Sequence, residues 1–294
     1  MIVVPIKNQV KSDFEGYTFL SELHNKLDKE AFQNIILDFS ANTWFDANLC
    51  AVLGAIINSC ESNYNLVEIK NINSKVEDIL SKNDFLANFG GAKLFDSYNT
   101  TIKYSKNEKS NIQFIKEKIQ DVMEKPDFPQ LSNNVRIEML NSIFEIYTNA
   151  FIHSDCDFVY SCEQYYPKKN LPTLDLTIVD LGRTIKSNVN DFLIENKSGI
   201  EAIEWAMIDS HTTKKKEDNI PGGLGFGIIK QFIGLNKGKI QILSADGFIQ
   251  FEDGDLLQNR FIPPFPGTII TIEFNLNDDS SYCFAYENSN KIEL

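Results

Sequence analysis

Strand-like and helix-like hydrophobic patterns alternate along this chain, and that alternation restricts it to a mixed α/β architecture of packed layers. Asn34-Ile35-Ile36-Leu37-Asp38-Phe39-Ser40 is a short apolar run ending in turn residues, which predicts a buried strand. From Asp46 to Cys60, the residues Leu49, Val52, Leu53, Ile56 and Ile57 recur at helical spacing and predict an amphipathic helix. Leu66 to Ile72 reads as a second strand. Ser74 followed by Glu77 has the spacing of a capping box and predicts the start of a helix carrying Val76, Ile79 and Leu80. Gly90-Gly91 closes that unit, and Thr100-Thr101-Ile102-Lys103-Tyr104 alternates like a last, half-solvated strand.

The polar stretch from Lys106 to Ser110 has no apolar period, so a boundary is placed there, giving domains 1–106 and 107–294. At roughly 100–200 residues per domain, a chain of 294 residues has room for about two. Beyond the boundary, helical patterns are predicted near Ile112–Met123 and, after Pro126 and Pro129, from about Ser132 onward. The apolar face of the second helix carries Leu140, Ile143, Phe144, Tyr147 and Phe151. Leu174 to Val179 reads as a strand running into Asp180-Leu181-Gly182. A helix at Ile200–Met207, a polar loop from His211 to Asn219, a helix at Ile228–Ile233 and strands at Lys239–Leu243 and Thr268–Phe274 complete the pattern.

Composition narrows the function. Against 28 Lys+Arg stand 41 Asp+Glu, a formal net charge of −13. Such a surface repels phosphate backbones, so no nucleic-acid partner is expected, although a local basic pocket for a nucleotide stays open. No apolar run approaches the ~18–20 residues of a membrane span. The start, Met1-Ile2-Val3-Val4-Pro5, lacks the positive region of a secretory signal. Cys50, Cys60, Cys156, Cys162 and Cys283 are scattered, with His24, His153 and His211 the only histidines. That spacing suits neither a zinc site nor a disulfide framework, and a cytoplasmic setting is expected.

The glycine cluster Gly222-Gly223-Leu224-Gly225-Phe226-Gly227 precedes a predicted helix. Bare backbone N–H groups can approach an oxyanion there, and the helix N-terminus adds partial positive charge. Glycines also serve tight turns. Two familiar phosphate loops do not fit: Gly238-Lys239 is followed by Ile240 rather than Ser or Thr, and G-x-G-x-x-G would need Gly at Ile228. Glu145, Asn149 and His153 lie at i, i+4 and i+8 and share one face of the long helix. A solvated face is one explanation. The other is chemical: an Asn carbonyl oxygen is a hard ligand suited to Mg²⁺ beside phosphates, and a carboxylate one turn away can polarise a water.

Taken in order, Glu145-x-x-x-Asn149-Ala150-x-x-His153, Asp180-x-Gly182, Gly223-x-Gly225-x-Gly227 and Gly267-Thr268 resemble the GHKL superfamily. This is the Bergerat-fold group of gyrase-type ATPases, heat-shock chaperones, histidine kinases and mismatch-repair ATPases. The E-x-x-x-N-A-x-x-H form is most similar to anti-sigma-factor serine kinases. The resemblance covers about residues 110–275 and implies a two-layer α/β sandwich that binds ATP and Mg²⁺. By the same resemblance, Asn149 would hold Mg²⁺ and Glu145 would act as general base. His153 would belong to the nucleotide site, and Asp180 would accept from the adenine amino group. Gly182 would let the backbone pass the base. Gly223, Leu224, Gly225, Phe226 and Gly227 would wrap the phosphates, with His211–Pro221 as a lid, and Thr268 would support Asp180. Lys214, Lys215 and Lys216 sit in that lid, where a solvated charge run is the first reading and contact of one of them, Lys214, with the γ-phosphate is the alternative. The pattern departs at Thr184, which stands where the first box usually has its second glycine.

The N-terminal third resembles a STAS domain, through Ile36 to Ser40 and the segment Trp44 to Ala51. Ala47 and Asn48 occupy the positions where antagonists of that family carry a phosphorylated hydroxyl. The resemblance therefore implies a docking or dimerisation module rather than a phosphorylation switch. The combined expectation is a nucleotide-gated regulatory ATPase that controls a protein partner, one of STAS type among the candidates, with a homodimer open. The alternatives are a protein serine/threonine kinase and a nucleotide sensor without turnover.

Overall fold

A computed structural model describes residues 1–97, 101–124, 127–166, 171–208 and 225–290. The chain is mixed α/β. Its first part runs β1 (Ile2–Pro5), β2 (Gln9–Val10), α1 (Phe14–Leu27), β3 (Asn34–Asp38) and β4 (Trp44–Phe45), then α2 (Cys50–Ser62), β5 (Leu66–Lys70) and α3 (Ser74–Lys82). The middle holds β6 (Thr101–Asn107), α4 (Ile112–Met123), β7 (Gln130–Leu131), α5 (Asn133–His153), β8 (Val159–Tyr166) and β9 (Thr173–Asp180). The last part holds α6 (Ile185–Leu193), α7 (Gly199–Ala206), α8 (Gly225–Asn236), β10 (Lys239–Glu252), β11 (Asp255–Asn275) and β12 (Ser281–Tyr282).

Two sheets dominate. β1, β3 and β5 form a parallel sheet in that order, and β10-β11-β9-β8-β6 form an antiparallel one. Helices α1 and α2 lie between them. Their buried Leu20, Leu23, Val52 and Ile56 share one core with Ile35 and Leu37 of the parallel sheet and with Val179, Leu243 and Ile269 of the antiparallel one. On the far side, α4, α5 and α8 pack Ile119, Ile143 and Ile233 against Leu176, Ile178, Ile270 and Ile272. The result is four layers, sheet–helix–sheet–helix. Because both faces of the antiparallel sheet are covered, every residue of β9 is buried.

The inner helix differs from the sequence expectation. From Cys50 to Ile57 every residue of α2 is buried, so this stretch is apolar all round rather than amphipathic. Its second face consists of the small residues Cys50, Ala51, Gly54 and Ala55, which let a sheet approach closely. A Cβ on Gly54 would stand 2.3 Å from the Tyr104 hydroxyl of β6. β6 itself, expected to close the N-terminal layer, pairs with β8 at the edge of the antiparallel sheet. Alternation reports which face a strand buries, not which strand it pairs with. The first cap is also shifted: Asn73 caps α3 through Lys75 and Val76, whereas a true capping box joins Ser198 and Glu201 at α7.

Polar residues stitch the middle layers together. The Tyr17 hydroxyl donates to Thr271 Oγ1 at 2.7 Å, and Thr271 meets Thr177 Oγ1 at 2.9 Å. Asn48 Nδ2 donates to Thr177 Oγ1 at 2.8 Å and to Ser12 Oγ at 2.9 Å. These groups are enclosed and paired, as buried polar groups must be. Among the described residues no helix is long and apolar enough to cross a membrane.

Candidate functional site

The long helix supplies the first half of the site. Ser132 caps its start by accepting from the Val135 N–H, and its apolar period turns Ile143, Ile146, Tyr147 and Phe151 into the core. That leaves Glu145, Asn149 and His153 half-buried along another face. Within that face, the Asn149 Oδ1 atom is fully enclosed and has no hydrogen-bond partner among the described residues.

β9 supplies the second half. Its alternation sends Leu174, Leu176 and Ile178 toward the α5 side, and Asp180, in the same phase, follows them. Asp180 is 3% exposed, and its Oδ1 likewise lacks a partner among the described residues. Burial pushes its pKa well above the ordinary carboxylate value. The Gly182 and Thr268 N–H groups and the Ser154 hydroxyl oppose that shift without cancelling it.

Close backbone approaches bring the two halves together. Arg183 N–H donates to the Ser154 carbonyl at the end of α5, and Asn188 Nδ2 donates to the His153 carbonyl at 2.8 Å. A Cβ on Gly182 would stand 2.2 Å from that Ser154 carbonyl, so the residue is glycine because the loop after β9 presses on the helix end. A Cβ on Gly267 would meet the Asp180 carbonyl at 2.1 Å. Thr268 sits opposite Asp180 in the ladder, and its hydroxyl is engaged with Ser244 Oγ at 3.0 Å.

The remaining expected residues fall at the starts of α8 and α6 or outside the described residues. Gly225 is the first residue of α8, with Gly227 half-buried in its first turn and Phe226 partly buried against the core that α8 shares with α5. Lys214, Gly223, Leu224 and the stretch from His211 to Pro221 lie outside the described residues. Thr184 has a structural reason: its hydroxyl accepts from the Ser187 N–H at 3.1 Å and caps α6, so the chain starts a helix where a second glycine was expected. In the N-terminal third, Asn48 is 0% exposed and bonded to Thr177 of β9, so this position faces the chain's own sheet.

Sequence reasoning missed Ser154 and Cys156, whose sulfur lies 2.9 Å from the Ser154 hydroxyl beside Asp180. No spacing rule marks them. It also missed the polar seam, although Thr177 and Thr271, polar residues inside strongly apolar strands, were a usable signal. No group of three or more His, Cys, Asp or Glu side chains placed to hold a metal occurs among the described residues. The sequence matches no protein-family model and no curated protein.

Proposed function

We propose that this chain is an adenine-nucleotide-binding regulatory protein of the GHKL type, with a Bergerat arrangement in its second part and slow Mg²⁺-dependent ATP hydrolysis as its chemistry. The observation that carries the reading is the pair of enclosed, partnerless acceptors, Asn149 Oδ1 on α5 and Asp180 Oδ1 on β9. Leaving a buried acceptor unsatisfied costs about 1–3 kcal/mol, so two of them flanking one helix–strand junction are best explained by a ligand that supplies a cation and a donor. The chemistry fits each. A neutral amide oxygen suits a hard divalent ion that also takes phosphate oxygens. A carboxylate accepts from the exocyclic amino group of adenine and rejects a carbonyl at that position.

In this reading Asn149 holds Mg²⁺, which when bound neutralises charge on the terminal phosphates. Glu145, one turn earlier on α5, accepts a proton from water. Asp180 orients the base, and the Gly182–Ser154 contact keeps its strand end against the helix. The N-terminal layer packs on the face of β9 and β11 opposite Asp180 and Thr268, so nucleotide-dependent movement of those strands would reach it directly. A serine-kinase activity would need its acceptor hydroxyl on another protein, because Ala47 and Asn48 offer none.

Phosphate release and thermal shift test the reading together. ATP with Mg²⁺ is expected to raise the melting temperature of the wild type, and Glu145→Ala to keep that rise while losing phosphate release. A wild-type melting temperature indifferent to millimolar ATP with Mg²⁺ would refute it. Transfer of label to a serine of a STAS-type partner would replace hydrolysis by the kinase reading.

A further inference from the structure

The two edges of the parallel sheet are finished differently. Ile6 N–H donates to the Asp38 carbonyl, so the even-numbered residues of β1 bond to β3, and Val3 and Pro5 turn their backbone outward. Pro5 has no N–H to offer, which guards that edge against a further strand. At the other edge, Leu66 N–H donates to the Gln33 carbonyl, and the Lys70 carbonyl accepts from the Phe39 N–H. Val67 and Ile69 are therefore the residues of β5 whose N–H and C=O groups face outward, and no proline removes a donor. Among the described residues no strand pairs with that side.

The side chains say which strand fits there. On the inner face Val67 and Ile69 are only half-buried, because β5 ends the sheet. The outer face carries Leu66, Glu68 and Lys70, all exposed, with Glu68 and Lys70 paired at 2.8 Å. A second β5 laid antiparallel about a two-fold axis at Ile69 sets Glu68 opposite Lys70 of the second copy, and Lys70 opposite its Glu68. Opposite charges attract across such a ladder and like charges repel. Ile69 then faces its own copy, exchanges both backbone hydrogen bonds with it and covers the half-buried inner face. Parallel in-register pairing would set Glu68 on Glu68 and Lys70 on Lys70, and an antiparallel register centred on Glu68 would set that carboxylate against itself. Exposed apolar side chains also gather at the start of the strand: Leu66, and the stacked rings of Phe32 and Tyr64, 5.2 Å apart. An antiparallel strand brings its far end against them.

We propose that the free edge of β5 is an interface between two copies of this chain: β5 pairs antiparallel with β5 of a second copy about a two-fold axis at Ile69. The two parallel sheets become one sheet of six strands. Such a pair closes on itself instead of growing, because each copy uses the same edge and the β1 edge is guarded. The contact lies in the outer sheet, with α1 and α2 between it and the antiparallel sheet that carries Asp180, so it forms without nucleotide and is independent of the nucleotide reading.

Analytical ultracentrifugation of the full chain without nucleotide, up to about 100 μM, tests this. The wild type is expected to sediment as a dimer. Glu68→Lys and Lys70→Glu each replace two attractive pairs by two repulsive ones, and each is expected to weaken the dimer by at least about tenfold. Both positions are exposed, so each variant is expected to stay folded, as its melting curve checks. The double variant Glu68→Lys/Lys70→Glu restores the pairs and is expected to recover the dimer to within about threefold of wild type. A wild type that stays monomeric at the highest concentration would overturn the proposal. So would a dimer indifferent to the single substitutions, or a double variant no better than either of them.

Discussion

Enclosure pushes Asp180 well above the ordinary carboxylate value of 3.8, and the consequence for stability has a definite sign. A carboxyl whose pKa is higher folded than unfolded stabilises the fold at low pH. That contribution is lost as pH rises through the folded value. In the nucleotide-free protein, the wild type should therefore lose stability relative to Asp180→Asn as pH climbs above the carboxylate range, by up to about 1.4 kcal/mol per pH unit across the interval. Melting temperatures of the two proteins from about pH 4 to about pH 9 check it; a difference that stays constant would contradict the assignment. The same variant should bind ADP far more weakly. At this scale the sequence was informative where spacing carried the signal, as for Glu145, Asn149 and His153 on one helical face. It was silent on Ser154, because a serine beyond a histidine has no pattern, and its importance comes from a contact with Gly182, distant in sequence.

Among the elements, legibility followed the kind of pattern available. α4 spans Ile112–Met123 and α5 starts after Ser132, as their helical period and cap predict. α2 was misjudged because Ala and Gly on its second face carry little hydrophobic signal, yet smallness is what lets a helix sit between two sheets. The terminal strands were read too short. β10 and β11 continue through a turn at Asp253-Gly254, both with positive φ, a pairing that suits a two-residue hairpin. α6 was not foreseen, and it accounts for Thr184. Thr184→Ala should cost about 1 kcal/mol by removing the cap while leaving ADP affinity within about twofold. Chemical denaturation and calorimetry check both parts; a collapse of binding would mean that Thr184 belongs to the site rather than to the helix.

For the whole molecule, the seam decides behaviour. One core runs from the parallel sheet through α1 and α2 into the antiparallel sheet. Asn48, Tyr17, Thr177 and Thr271 close it with buried hydrogen bonds. A chain built this way should unfold in one cooperative step. Asn48→Ala, which leaves Thr177 and Ser12 short of a partner, should lower its stability by about 1–3 kcal/mol without splitting the transition. Circular dichroism and tryptophan fluorescence followed through the same melt test that; two separate transitions would show that the layers fold independently. The boundary placed at residue 106 falls within β6, at the edge of the antiparallel sheet. The proposed nucleotide site stands on two enclosed oxygens, Asn149 Oδ1 of α5 and Asp180 Oδ1 of β9. A crystal structure of the protein with a non-hydrolysable ATP analogue and Mg²⁺ tests it most directly. The expected result is the metal on Asn149 Oδ1 and the adenine amino group within about 3 Å of Asp180 Oδ1. Nucleotide bound elsewhere, with both oxygens still enclosed and unpaired, would contradict it.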